Sequence, residues 1–597
     1  MRLSVAVLLG WAMVLWVSQA FAAQPAKNVI LLIADGAGFN AWQAASYYEH
    51  GQLGQQPYDR FAVHYGCTTY MLNYVNADGA MMAASVGKIP NGASGTIAQE
   101  YDPSQMWRNF NYARGKDNYT AATDSAAAAT ALYTGVKTTR GRMAMSWEGK
   151  KRLTTIAEIA DRLGKATGTI SSVQVSHATP GAVWAHNPSR NNYAALFREM
   201  LYESGLDVIM GAGHPLYDNN GKRRNGGSDD DYQYVGGKQA WKDLTSADPD
   251  AGLQLIQQKD EFEALAERSA TGGDGPSRRV VGIAPVHSTL QADRKGKDMA
   301  PGSPQNANVP ALATITRAAL NVLAEDPDGF FLMVEGGAVD WANHSNNLAR
   351  MVEEMGDFNR SVQAVVDWVE ANSSWDETLV IVTADHECGM LWGQGTYANG
   401  DDDPHYNAGT DTFLNWQPVK SQGKGRLPQC QYGSGGHTNA LVPLWANGPG
   451  SERFAELVDG TDAKAGEFWG FSGKYVDNTD VFTVMKAAFG SRTDSPPQPA
   501  PEALQPAAAV ETPQPDAATN APRERALQSR NRVGPGTVPR RVPIRAGEDP
   551  RQRLREALRE RVREEARQAA ARRAAEADAR AKRLETPAGK PASDAKQ

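Results

Sequence analysis

Asn28-Val-Ile-Leu-Leu-Ile-Ala34-Asp35 is an apolar run, rich in branched side chains, that ends abruptly at a carboxylate. A run this short, with no polar alternation, reads as a strand buried on both faces, the pattern of a parallel sheet. Three other runs share it: Gly168-Thr-Ile-Ser-Ser-Val173, Phe330-Phe-Leu-Met-Val334 and Thr378-Leu-Val-Ile-Val-Thr383. Helical patterns fall between them, at 153–163, 193–204, 310–325 and 348–369. Strand and helix alternating in this way predict an α/β fold: a three-layer sandwich whose largely parallel central sheet is flanked by helices through right-handed crossovers. Functional groups in such sheets collect beyond the C-terminal strand ends. Asp35, Glu335 and the pair Asp385-His386 each stand there. One acidic strand end is ordinary turn chemistry, but three, one with an adjacent histidine, are not explained by turns.

Two other segments carry chemistry. Thr123-Asp124-Ser125-Ala126 opens an alanine-rich run that continues to Leu132. Ser and Asp before such a run cap helices; a helix N-terminus also suits a phosphate dianion arriving at a serine oxygen. The segment alone leaves both readings open. In Glu335-Gly-Gly-Ala-Val-Asp340-Trp-Ala-Asn-His344, Asp340 and His344 are four apart and share a face if helical. Carboxylate plus imidazole suits Zn²⁺, while Glu335 suits a harder, oxygen-seeking ion such as Mg²⁺. Gly435-Gly436-His437-Thr438 offers a further imidazole on a flexible approach.

Composition sets the frame. The chain has 597 residues and a net charge of −7, which conceals two unlike parts. Residues 495–597 hold 21 Lys and Arg against 14 Asp and Glu, leaving 40 against 54 for the acidic body before them. Such a body is poorly suited to binding nucleic acid through its general surface. Residues 1–22 read as a secretory signal peptide, with Arg2, an apolar core too short to span a bilayer and a small-x-small end at Ala20-Phe21-Ala22. A periplasmic or secreted protein with no transmembrane span after cleavage is expected. Three cysteines cannot all pair with one another; Cys388 reads as buried packing, with a metal thiolate the lesser alternative, and Cys67 with Cys430 is a pairing that sequence cannot test. Residues 23–494 read as one catalytic domain, with Gly-, Asn- and Asp-rich insertions over or beside the site at about 51–118, 211–308 and 392–432. Residues 495–547 are a Pro- and Ala-rich disordered linker, and 548–597 a charged helical tail. Contact of that tail with the cell envelope, and homodimerisation, stay open.

Read in order over residues 27–449, the motifs resemble the alkaline phosphatase family: Asp35-Gly-Ala-Gly, Thr123-Asp-Ser-Ala, Thr134-Gly-Val-Lys, Ala178-Thr-Pro ending in Ser189-Arg190, Glu335 to His344, Thr383-Ala-Asp-His and Gly436-His-Thr. The resemblance implies hydrolysis of small phosphate monoesters through a phosphoserine, at a site with two Zn²⁺ and one Mg²⁺. It implies Ser125 as nucleophile and as a ligand of one zinc, completed by Asp35, Asp385 and His386. Asp340, His344 and His437 would hold the other zinc. Asp35, Thr179 and Glu335 would hold magnesium, and Arg190 would bind phosphate, oriented by Asp124. Two positions depart from the family's best-known bacterial form: His177 stands for an aspartate and Trp341 for a lysine. The first bears on magnesium affinity, as a partner of a metal-bound water or a ligand of a third zinc. The second bears on how phosphate is held. The competing readings are a phosphodiesterase or sulfatase on the same type of fold, and an envelope-binding protein with a vestigial catalytic body. The sulfatase pattern is missing after both Ser125 and Cys67.

Overall fold

A computed structural model describes residues 25–490, apart from 116–121, 248–251, 269–278, 297–300, 302, 397–405, 408–411 and 414. The signal peptide, the linker and the tail lie outside the described residues. Eleven strands form one sheet: β1 (Asn28–Ile33), β2 (Val63–Thr68), β3 (Ala166–Gln174), β4 (Val208–Ala212), β5 (Leu253–Ile256), β6 (Arg279–Ile283), β7 (Phe330–Glu335), β8 (Thr378–Thr383), then, after the short β9 (Glu387–Cys388) and β10 (His437–Thr438), β11 (Val442–Asn447), β12 (Gly460–Thr461) and β13 (Lys474–Asp477). The sheet order is β12-β13-β2-β11-β8-β1-β7-β3-β4-β6-β5. Every pairing from β8 to β5 is parallel; β11 runs antiparallel to both β8 and β2. β9 and β10 pair with each other as a separate two-stranded sheet.

The buried runs become the central strands because they are largely apolar, so little polar surface is dehydrated on either face, and a buried polar side chain such as Ser171 is hydrogen-bonded. All six residues of β1 are buried, as are those of β7 and β8. Register then does the positioning. Ile33 lies opposite both Glu335 and Thr383, and Ser171 lies opposite Glu335. The ends of three adjacent strands therefore deliver Asp35, Glu335 and Asp385 to one edge.

Helices cover both faces. α1 (Phe39–His50) packs on the long helix 348–372, while α2 (Ser125–Thr134), α3 (Ile156–Arg162) and the short α4 (Ala178–Gly181) gather on the other side with the C-terminal helix 478–488. α5 (Leu312–Leu323), α6 (Ala338–His344) and α7 (Leu348–Asn372) complete the set used below.

The stretches read as insertions do more than cover the site. β2 lies within 51–118, and β5 and β6 within 211–308, and all three are strands of the central sheet. They are too short to have shown a clear period in the sequence. The rest of the first stretch does pack near the site: Trp107 and Phe110 join a buried aromatic cluster with Phe39, Trp392 and Trp469. The Ala113 and Tyr112 carbonyls accept hydrogen bonds from the Asn439 backbone N–H and side chain, which tethers β10.

Candidate active site

α2 begins at the serine. Its cap is Asp124, whose Oδ1 accepts from the Ala127 N–H at 3.2 Å. Ser125 is thus relieved of capping, and its buried hydroxyl lies 3.3 Å from His386 Nε2. Asp124 also accepts from the Gly141 N–H at 3.0 Å and pairs with Arg190 Nη1 at 3.0 Å. Burial works against its ionisation, but the Arg190 charge and the Gly141 N–H hold it below the usual carboxylate range. A helix N-terminus, a hydroxyl and an anchored guanidinium thus converge. His186, four residues before Arg190, belongs elsewhere: it bonds Glu199 and the Leu153 carbonyl.

Two clusters of donor atoms lie beyond that hydroxyl, joined by His386, whose ring stacks on His437 at 3.6 Å. In one, Asp35, Asp385 and His386 offer atoms all within 4.8 Å of one another; in the other, Asp340, His344, Cys388 and His437 do the same. Asp340 and His344 fall on α6 four residues apart, with Oδ2 and Nε2 at 3.3 Å. His437 Nε2 lies 3.1 Å from His344 Nε2 and 3.5 Å from Asp340 Oδ1. The Nδ1 atoms of these imidazoles donate to the Thr123 and Gly435 carbonyls at 2.7 and 2.8 Å, which fixes the rings and turns Nε2 inward. A third group surrounds Glu335. Ser171 donates to its Oε2, and Thr179 Oγ1 on α4 lies 3.4 Å from Asp35 Oδ2. Gly36, at φ +72°, permits the approach of α6: a Cβ there would lie 2.6 Å from Asp340 Oδ1.

Four carboxylates crowd one buried site. Burial, with Asp385, Asp340 and Glu335, raises Asp35 well above the carboxylate range. Burial pushes Glu335 up to about 7, against the Ser171 hydrogen bond, and with Asp340 pushes Asp385 up to about 6. Asp340 is held down despite burial by its bond to His437, and that contact raises His437 in turn. Among the described residues, buried Asp35 Oδ1, Glu335 Oε1, Asp385 Oδ2 and His386 Nδ1 have no hydrogen-bond partner. Orphaned acceptors and mutually repelling carboxylates are the signature of a site that takes cations. The donor set fits: mixed N and O for zinc, oxygen around Glu335 for magnesium.

His177 and Trp341 stand side by side at the rim, ring centroids 5.5 Å apart, with Tyr193 stacked on His177 at 5.7 Å. Burial, followed by the nearby Arg190 charge, lowers His177 to about 3, so it is neutral at working pH. Beside Trp341 opens a cavity of about 430 Å³ walled by Arg294, Lys295 and Arg350. Ser171, inside an apolar strand with nothing to mark it, is the residue beside Glu335 that the sequence does not announce. Cys388, which reads as buried packing before a metal thiolate, is buried, and its sulfur stands within the second donor cluster.

An α/β sandwich whose strand ends carry two clusters of possible metal-ligating atoms beside a serine and an arginine fits a hydrolase of phosphate esters. The alkaline phosphatase family model matches residues 104–440. Alkaline phosphatase of Escherichia coli (strain K12) is 28% identical over 494 residues, covering 78% of this chain and 87% of that protein. Alkaline phosphatase 3 of Bacillus subtilis (strain 168) is 27% identical over 405 residues, 57% of this chain and 75% of that one. Among solved structures, the alkaline phosphatase from the Antarctic bacterium TAB5 shares the fold, with TM-score 0.50 and 21% identity over 79% of this chain and 100% of that one. The chain belongs to the alkaline phosphatase family and is an enzyme that hydrolyses phosphate monoesters.

Proposed function

We propose that hydrolysis runs through a phosphoserine on Ser125, at a site holding two zinc ions and one magnesium ion. The observation that carries this is the Ser125 hydroxyl, freed from capping by Asp124 and set 3.3 Å from His386 of one donor cluster, whose ring stacks on His437 of the other. Asp35, Asp385 and His386, with Ser125, would hold one zinc; Asp340, His344 and His437 the other; Asp35, Thr179 and Glu335 the magnesium. When bound, such ions supply Lewis-acid stabilisation of charge on the attacking and leaving oxygens.

The rest falls to the chain. Arg190, held by Asp124, grips two equatorial phosphoryl oxygens with its planar fork and orients the ester in line with Ser125. The α2 N-terminus adds backbone N–H groups and partial positive charge to the same oxygens. Ser125 Oγ attacks phosphorus, the P–O bond to the alcohol breaks, and the serine ester is then hydrolysed by water. Thr123, through its carbonyl, keeps the His437 ring in register with the nucleophile two residues on. Trp341, where a lysine would add positive charge, leaves product phosphate more weakly held. Small phosphomonoesters are the substrates. We further place the protein in the periplasm or the medium, on the export signal read in residues 1–22. Among the described residues, no helix is long and apolar enough to cross a membrane.

Replacing Ser125 with Ala tests the reading: kcat for an aryl phosphate should fall by more than about a thousandfold with the fold intact. Activity near that of the wild type would end it. Chelation should likewise abolish turnover, with zinc and magnesium together restoring it, and kcat/KM for monoester should exceed that for diester or sulfate.

A further inference from the structure

Cys388 is 1% exposed, and its thiol has polar neighbours of a kind that a thiol buried wholly among hydrocarbon lacks. Its Sγ belongs to the cluster formed with Asp340, His344 and His437, every donor atom within 4.8 Å of the others. The topology makes this unavoidable. β9 and β10 pair antiparallel with Cys388 directly opposite His437, and directly opposed residues project from the same face. The Cys388 N–H is bound to the Gly36 carbonyl at 3.0 Å, which pins the thiol's backbone to the turn that also admits α6. Asp340 Oδ1, buried in the same cluster, faces His437 Nε2 at 3.5 Å.

We infer that Cys388 is an inner-sphere ligand of the cation held by Asp340, His344 and His437, making that site a mixed S, N and O site selective for soft ions. The inference rests on the proposed role of those three residues and adds a fourth donor. As the sulfur–metal bond forms, the thiol proton passes to buffer. Soft thiolate favours Zn²⁺ and Cd²⁺ over Mg²⁺ and Mn²⁺. Cys67 and Cys430, the other free thiols, belong to neither donor cluster among the described residues.

The test uses the full chain with C67S and C430S, stripped by chelation and refilled with Co²⁺. A near-ultraviolet thiolate-to-cobalt charge-transfer band is expected, lost in C388A, with Cd²⁺ affinity by equilibrium dialysis falling about tenfold or more. Should C388A fail to fold, zinc X-ray absorption on the parent reads the same bond as sulfur scattering at about 2.3 Å. Bound Co²⁺ with visible bands but no charge-transfer band would overturn the inference and leave the cation site standing. No Co²⁺ uptake beyond that of H344A would overturn both.

Discussion

Asp124 serves two structures at once, as cap of α2 and as anchor of Arg190, and conservative substitutions separate these roles. Asp124→Asn keeps an oxygen for the Ala127 N–H and removes the charge facing Arg190, so the melting temperature should hardly move while the phosphate inhibition constant changes. Asp124→Ala removes both and should also cost about 1–2 kcal/mol of stability by thermal denaturation. Equal stability of the two variants would contradict the capping role. At the rim, Trp341→Lys places a cation beside the phosphate position and should tighten phosphate inhibition about tenfold, an effect on the order of 1.4 kcal/mol for one charge-assisted contact. An unchanged inhibition constant would show that Trp341 does not set product affinity. At this scale legibility was uneven. Asp35, Glu335 and Asp385 announced themselves by ending apolar runs, whereas Arg190, on a loop, came only through resemblance. Cys388 reads as packing because that is the commoner fate of a buried thiol, and it is buried.

Among the elements, α7 carries a buried carboxyl whose protonation is linked to folding. Glu354 is buried, and burial, with Asp357 and Glu353 nearby, pushes its carboxyl up to about 8 from an ordinary 4.5. The folded state then binds the proton more tightly than the unfolded one. Its contribution to stability is full below about pH 4.5 and is lost as pH rises through about 8. Glu354→Gln, which cannot ionise, should narrow the stability gap between acidic and alkaline pH by on the order of 2 kcal/mol in denaturant titrations. Parallel pH profiles for variant and wild type would refute this. Element boundaries show what a sequence cannot convey. The apolar run at 168–173 became Ala166–Gln174, because tertiary pairing with β7 and β4 extends a strand past its own hydrophobic signal. β9 and β10, two residues each, have no periodicity to read, yet they align Cys388 with His437.

For the whole molecule, the division of the chain makes its own prediction. The sheet, both helical layers and every proposed ligand fall within residues 25–490. Deleting 495–597 should leave soluble kcat/KM within about twofold, the tail being remote in sequence from every donor. Loss of turnover in a folded truncation would show that the tail completes the enzyme.

The central claim is that Ser125 carries the phosphoryl group. Its most direct measurement is acid quenching during turnover of a labelled phosphate monoester, followed by peptide mapping. The account predicts label on Ser125, absent from Ser125→Ala; label on another residue, or a chain free of label under conditions that trap acid-stable phosphoserine, would contradict it.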